Sequence, residues 1–286
     1  MVSIIIVTWN SEKYIKPCLL SILRQKDFNF KDFEVIVIDN NSKDNTVSII
    51  ENEFSEVLLI KNSFNQGFAK ANNQGLKIVK GEYVFFLNPD TQLQDHFFPP
   101  MLNFFERNQK VGAIAPKMLN PDFSTQPSIR SFPDYPILFW EITGLAKFFP
   151  NHRIFGKWRM AYFDYNQLSE IDQPMASCLL VRKRAIDDVG YFDENFPMFY
   201  NDVDLCYRFK KAGWPIYYLP KSFVIHERGA STKRVRAKMI FSMHRSLYHY
   251  FEKHDNSKSF KIKKTILHPL LIFTAILRAS WSMLSN

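Results

Sequence analysis

Apolar and polar positions alternate in blocks along the first ninety residues. "VSIIIVT", residues 2–8, is a short apolar run rich in β-branched side chains and predicts a strand. "SEKYIKPCLLSILRQ" follows, with apolar residues at helical spacing and Ser11 placed as an N-cap. "FEVIVID" predicts a second strand, "NNSKDNTVSIIENEF" a polar turn entering a helix, and "VLLI" a third strand. "NQGFAKANNQGLKIVKG" predicts a helix closed by Gly81, and "YVFFL" a fourth strand. Strands alternating with helices of this length imply parallel βαβ units in a doubly wound sheet. Ligands of such sheets sit beyond the carboxyl ends of the strands. Thr8, Asp39 and Asp90 fall at or just after those ends.

The pattern changes after residue 115. Residues 116–170 hold many prolines and aromatics with weak periodicity, which reads as an irregular, substrate-facing region. "ASCLLVRKRAIDDVGYFDE" predicts a strand and a short helix ending at Gly190. "NDVDLCYRFKKAGW" predicts a helix with acidic residues at its start and Gly213 just past its end. "PIYYLP" and "SFVIHERG" predict two extended segments. The turn after the first strand, "TWNSEKY", lacks the GxGxxG of dinucleotide folds, so another device must hold any phosphate.

Charge divides the chain in two. Of the net +9, the stretch from Lys233 onward holds 11 Lys and Arg against two acidic residues, which leaves 26 of each sign in the rest. This predicts a neutral body with a basic helical tail. A basic nucleic-acid binder would spread its charge over the body, and the tail has no recognised reader motif, so no nucleic-acid partner is expected. The run "KIKKTILHPLLIFTAILRASWSML" has about ten apolar residues before Arg278, against the roughly 20 a spanning helix needs. It reads as an interfacial helix, with Lys258, Lys261, Lys263 and Lys264 near anionic headgroups. The alternative is a helix packed on the body, or on a second copy as a homodimer through the C-terminal helices. Three scattered cysteines without CxxC spacing fit a reducing compartment. The run Val2–Val7 is too short and lacks the basic flank of a signal peptide. The expected location is the cytoplasmic face of the cell membrane, held peripherally.

Six stretches in order, "VTWNSEKYIKPCLLSI", "VIVIDNNSKDNT", "NQGFAKANNQG", "GEYVFFLNPDT", "GYFDENFPMFYNDVDLCYR" and "HERGAS", resemble the family 2 glycosyltransferases, in particular bacterial rhamnosyltransferase-type enzymes. The resemblance implies an α/β GT-A fold, a Rossmann-like, mostly parallel sheet flanked by helices. It divides the chain into a catalytic domain, 1–232, and the tail, 233–286. The nucleotide-binding half is about 1–115 and the acceptor-binding half about 116–232. The implied activity is inverting transfer of a sugar from a nucleoside-diphosphate donor, dTDP- or UDP-linked, to a lipid-linked or growing glycan acceptor. Rhamnose from dTDP-rhamnose is the expected donor. A UDP-hexose or furanose donor, and a non-catalytic sugar-nucleotide or glycan-binding module on a membrane anchor, are the alternatives.

The resemblance also assigns residues. Asp39 contacts the base, and Thr8, Asn10, Asn41, Asn72 and Asn88 line the nucleotide pocket. Asp39 also reads as a turn residue stabilising "DNNS", and Asn72 equally as plain helix surface. Many family members carry Arg at the position of Asn72. Asp90 binds a divalent cation, Mg2+ or Mn2+, on the diphosphate, with Asn88 replacing the usual first aspartate of that signature. Proline at position 89 fixes φ, so the carboxylate is aimed into the cleft. His226 is the second metal ligand. Asp202 is the catalytic base, ionised with the help of its helix-start position. Asn201 stands where a Glu is common, and Asn201 and Asp204 are expected near the acceptor or sugar.

Overall fold

The computed structural model describes residues 1–25, 33–196, 199–227 and 236–284, with no side chains described for 236–238 and 281–284. The first half runs β1 (Val2–Thr8), α1 (Glu12–Leu23), β2 (Phe33–Asp39), α2 (Thr46–Glu53), β3 (Leu58–Lys61), α3 (Phe68–Leu76) and β4 (Tyr83–Leu87). Then come β5 (Thr91–Leu93), α4 (Phe98–Arg107), β6 (Ala113–Leu119), β7 (Ile129–Arg130), α5 (Tyr135–Thr143) and α6 (Leu145–Phe148). The rest is β8 (Ser169–Ile171), β9 (Gln173–Pro174), β10 (Cys178–Arg182), α7 (Lys183–Val189), α8 (Asn201–Lys211), β11 (Ile216–His226), α9 (Arg236–His254) and α10 (Phe260–Leu284).

The main sheet is ordered β3-β2-β1-β4-β10-β6-β11-β5, with β8 added on β11. β3, β2, β1 and β4 run parallel, in register from Thr8 opposite Asp39. β1, β2 and β4 read as largely apolar runs because both faces are covered, whereas β3 at the sheet edge is partly exposed. Ile4, Ile6, Val35, Val37, Phe85 and Leu87 face one core with α1 and α4. Ile5, Ile36, Ile38, Val84 and Phe86 face the other with α3, α7 and α8. The sheet is a mostly parallel α/β sheet with helices on both faces, as expected. It departs from a fully parallel sheet at β10, which runs antiparallel to both β4 and β6, and at β5 and β8, each antiparallel to β11.

Three local expectations are corrected. α3 ends at Leu76, and Gly81 lies beyond it. A Cβ at Gly81 would stand 2.7 Å from the Ser3 nitrogen and 2.8 Å from the Met1 carbonyl, so glycine is needed there for a close backbone approach. Ser11 precedes α1, but its side chain caps nothing. The Glu12 N–H is instead taken by Asp44 Oδ2 at 3.0 Å, while Glu12 Oε2 accepts from the Asn45 N–H at 3.0 Å. "PIYYLP" and "SFVIH" form one strand, β11, whose register with β6 shifts between Leu219 and Phe223. The displaced Ser222 hydroxyl donates to the Phe97 carbonyl at 2.8 Å.

The tail packs on the body. Tyr250 and Phe251 of α9 and Leu267 and Leu271 of α10 bury against Phe196 and Val203. The i, i+4 row Leu267, Leu271, Ala275 and Ala279 is the inner face of α10. Its outer face leaves Ile262, Ile266, Phe273 and Ile276 about half or more exposed. Among the described residues no helix is long and apolar enough to cross a membrane.

Candidate active site

Thr8 and Asp39 end neighbouring strands, and the Thr8 hydroxyl donates to Asp39 Oδ1 at 2.9 Å. Asp39 is 2% exposed and also accepts from the Ser42 N–H and hydroxyl. The turn-stabilising reading of Asp39 therefore describes what its carboxylate does. Asn10 and Asn41 both adopt positive φ, 52° and 65°. In this left-handed region asparagine is among the better tolerated residues. Asn10 Oδ1 accepts from the Lys43 N–H, and Asn41 Oδ1 from the Lys43 ammonium, each at 2.8 Å. Thr8, Asn10, Asp39 and Asn41 thus form one hydrogen-bonded rim above β1 and β2.

Asn72 does not join that rim. It is 1% exposed and donates to the Phe68 carbonyl within α3. It is neither plain surface nor placed to meet a nucleotide. Its neighbour Asn73 has the tertiary role: it donates to the Phe192 carbonyl and Glu194 and accepts from the Phe192 N–H.

Asp90 and His226 are 136 positions apart and meet through strand pairing. β5 pairs antiparallel with β11, setting Thr91 opposite His226, and the Glu227 N–H donates to the Asp90 carbonyl at 2.9 Å. Asp90 Oδ1 then lies 3.4 Å from His226 Nε2. The imidazole is held from behind by Gln126. The Gln126 amide nitrogen donates to Asn120 Oδ1 and to the His226 carbonyl, so its oxygen faces His226 Nδ1, at 2.6 Å. Nδ1 must therefore carry the hydrogen. In the neutral ring this turns the Nε2 lone pair toward Asp90 Oδ1, a buried oxygen without a hydrogen-bond partner. These two lone pairs are the donors that a shared cation, a proton or a metal ion, would use. That donor set, one carboxylate and one imidazole, fits a divalent ion sharing its other positions with phosphate oxygens and water. Among the described residues no group of three or more His, Cys, Asp or Glu could hold a metal unaided. "RGAS", the end of the last motif, lies outside the described residues.

Asp202 is tied to a short strap, residues 176–177, that also reaches the Asn88–Asp90 loop. Its Oδ2 accepts weakly from the Ala176 N–H (3.4 Å) and Gln173 Nε2 (3.3 Å), while the next residue, Ser177, accepts at its carbonyl from the Asn88 N–H at 2.8 Å. Residues 176–177 thus join the loop of Asn88 and Asp90 to the helix of Asp202. α8 is entered through Tyr200 at φ 67°, a left-handed conformation uncommon for a bulky residue. Burial raises the Asp202 carboxyl pKa and outweighs the lowering by N–H groups of Val203, Ala176 and Asp202 itself. The helix-start expectation of a lowered pKa is corrected: desolvation decides.

Asn201 is buried, and its side-chain oxygen accepts from the Asp202 N–H at 2.7 Å. Asp204 points the other way and is fully buried. Oδ1 receives Lys253 at 2.7 Å and His254 at 2.8 Å, and Oδ2 receives Arg208 at 2.9 Å. Its carboxylate is engaged by the tail, which leaves no face for an acceptor sugar.

Residues 3–169 match the sequence profile described as glycosyl transferase family 2. The chain belongs to glycosyl transferase family 2. It is 30% identical over 260 residues to an N-acetylglucosaminyl-diphospho-decaprenol L-rhamnosyltransferase of Mycobacterium tuberculosis, covering 86% of this chain and 82% of that protein. Its fold is like that of S. aureus TarS in complex with UDP (TM-score 0.57, 20% identity, 92% of this chain and 69% of that one). It is also like GalNAc-T7 with UDP, GalNAc and Mn2+ (TM-score 0.60, 13% identity, 81% of this chain and 44% of that one). Within this family 2 chain, Gln126, Lys253 and His254 escaped the sequence reading. Gln126 sits in an irregular stretch without a motif, and the two tail residues look like ordinary surface of a basic helix.

Proposed function

We propose that the chain is an inverting, metal-assisted glycosyltransferase that moves a sugar, rhamnose from dTDP-rhamnose, onto a lipid-linked glycan. The observation that supports this reading is the 176–177 strap, whose Ala176 N–H donates to Asp202 while its Ser177 carbonyl accepts from the Asn88 N–H, two residues before Asp90. The rhamnose and lipid-linked parts draw on the name of the mycobacterial relative. The donor's base and ribose rest on the rim of Thr8, Asn10, Asp39 and Asn41, with the Asn88 amide beside the diphosphate. A base contact at Asp39 requires the Ser42 hydroxyl to turn away. Asp90 and His226 hold the divalent cation, whose chemistry is to neutralise charge on the leaving diphosphate. Asp202 takes the proton of the acceptor hydroxyl as that oxygen bonds to the anomeric carbon and the carbon–phosphate oxygen bond breaks. A single displacement of this kind inverts the anomeric centre. Thermal-shift screening of dTDP- and UDP-sugars, with and without Mn2+ or Mg2+, tests the reading, since a ligand of the native state raises its melting temperature. No shift with any of them sinks it.

Asp90→Ala is expected to keep the fold, because no hydrogen bond to Oδ1 is lost. Turnover should fall by about 10²-fold or more and lose its response to added metal. Full turnover at saturating donor in this variant excludes the metal role.

The tail is proposed to lie on an anionic membrane surface. The exposed apolar row of α10 stands beside the exposed Lys258, Lys261 and Lys264. Ile266→Glu with Phe273→Glu should release the protein from vesicles of phosphatidylglycerol and phosphatidylcholine, and salt should weaken binding of the unaltered chain. Equal binding by the variant rules this surface out.

A further inference from the structure

A cavity of about 360 Å3 lies between the body and the tail, with Asp202 in its wall. That volume is in the roughly 300–1,000 Å3 range of small-molecule sites. Three chemistries meet in it. Ile137 and Leu138 of α5, Leu247 of α9 and Leu271 of α10 give apolar walls. Arg278 of α10 brings a guanidinium that no ion pair among the described residues engages. Asp202 brings the carboxylate read above as the base. Trp158 and Tyr200, whose rings stack at 6.2 Å, line the same space.

Aliphatic walls beside the base match hydrocarbon better than the hydroxyl-rich edges of a sugar. A glycan on a polyprenyl diphosphate presents a hydroxyl, then two phosphates, then hydrocarbon. α10 lines the cavity through Leu271 and Arg278 and shows Phe273 and Ile276 to solvent, so one helix faces both the cavity and the apolar surface outside. We propose that this cavity is the lipid subsite of the acceptor. It takes the first isoprene units and the diphosphate, with Arg278 on the phosphates, and the inference rests on the glycosyltransferase reading. On this account the tail completes the acceptor site and does more than tether the enzyme.

The test titrates the full chain by calorimetry with farnesyl diphosphate, farnesol and inorganic diphosphate. Farnesyl diphosphate should bind more tightly than either fragment. Leu247→Trp, which fills the cavity, should weaken it at least tenfold, as should Ile142→Trp at the wall if the first variant does not fold. Arg278→Gln should weaken farnesyl diphosphate while leaving farnesol unchanged. Farnesyl diphosphate affinity that survives the filling variants, or inorganic diphosphate binding as tightly, overturns the proposal. Thermal shifts by UDP and dTDP, run on the same variants, should be unchanged. Nucleotide binding without farnesyl diphosphate binding removes this subsite alone; loss of nucleotide binding by the unaltered chain removes the glycosyltransferase reading itself.

Discussion

Asp202→Asn is expected to lower kcat by about 10²- to 10⁴-fold, the range for loss of a positioned general base, with little change in nucleotide affinity. The carboxyl sits where burial raises its pKa against three N–H groups that lower it. A raised pKa makes a stronger base, and its protonation should set the acid limb of the kcat–pH profile above the ordinary aspartate value of about 3.9. The residual activity of the asparagine variant should lack that limb. The stability sign runs opposite to the usual aspartate. A folded-state pKa above the unfolded one means that the ionised carboxylate costs stability above the unfolded pKa, a cost relieved as pH falls. Asparagine removes that cost at neutral pH and keeps one acceptor for the surrounding N–H groups, so the melting temperature should hold. Near-normal kcat in Asp202→Asn would show the base misassigned. So would lost turnover in an Asp204→Asn protein that remains folded.

The first half of the fold was legible because its inner strands β1, β2 and β4 are buried on both faces and its helices on one, which writes period and composition plainly into the sequence. Strand ends followed from topology, so Thr8, Asp39 and the Asn88–Asp90 loop could be placed at the rim. What stayed hidden depended on long-range pairing. β10 carries no mark of running antiparallel, since a strand buried between two others reads the same in either direction. The bulge that keeps β11 a single strand is hidden by Pro220, which looks like a break. Asn72 and Asn73 are adjacent and chemically identical, and only the packing of α3 separates the sealed side chain from the one tied to Phe192. The tautomer of His226 depends on Gln126, a hundred residues away. The direction of the Asp202 shift depends on desolvation by segments distant in sequence, which a helix-end rule ignores.

The largest stability effect should come from cutting the tie between α8 and the tail. Asp204 is fully buried, two residues from the proposed base, with Arg208, Lys253 and His254 on its carboxylate. Burial alone would raise its pKa, but the His254 hydrogen bond and the charges of Arg208 and Lys253 together hold it at about 2. A drop from 3.8 to about 2 corresponds to about 2 kcal/mol of stability, present above about pH 4 and lost as pH falls toward 2. Lys253→Met with His254→Leu leaves the buried carboxylate with Arg208 alone, which also caps α7 through the Val189, Gly190 and Tyr191 carbonyls. Removing partners from a buried charge costs about 3–5 kcal/mol, so this double variant should melt well below the unaltered chain. Part of that loss comes from the Lys253–Asp193 contact at 2.7 Å, and Asp193→Asn measures it separately. Adding Asp204→Leu to the double variant should recover much of the loss, because it removes the under-partnered buried carboxylate while Arg208 keeps the Val189, Gly190 and Tyr191 carbonyls as acceptors. Set against the effect of Asp204→Leu alone, the recovery gives the coupling energy of a double-mutant cycle. Loss without recovery would assign the effect to tail packing around Tyr250 and Phe251, and no loss at all would show that the tail is not held through Asp204.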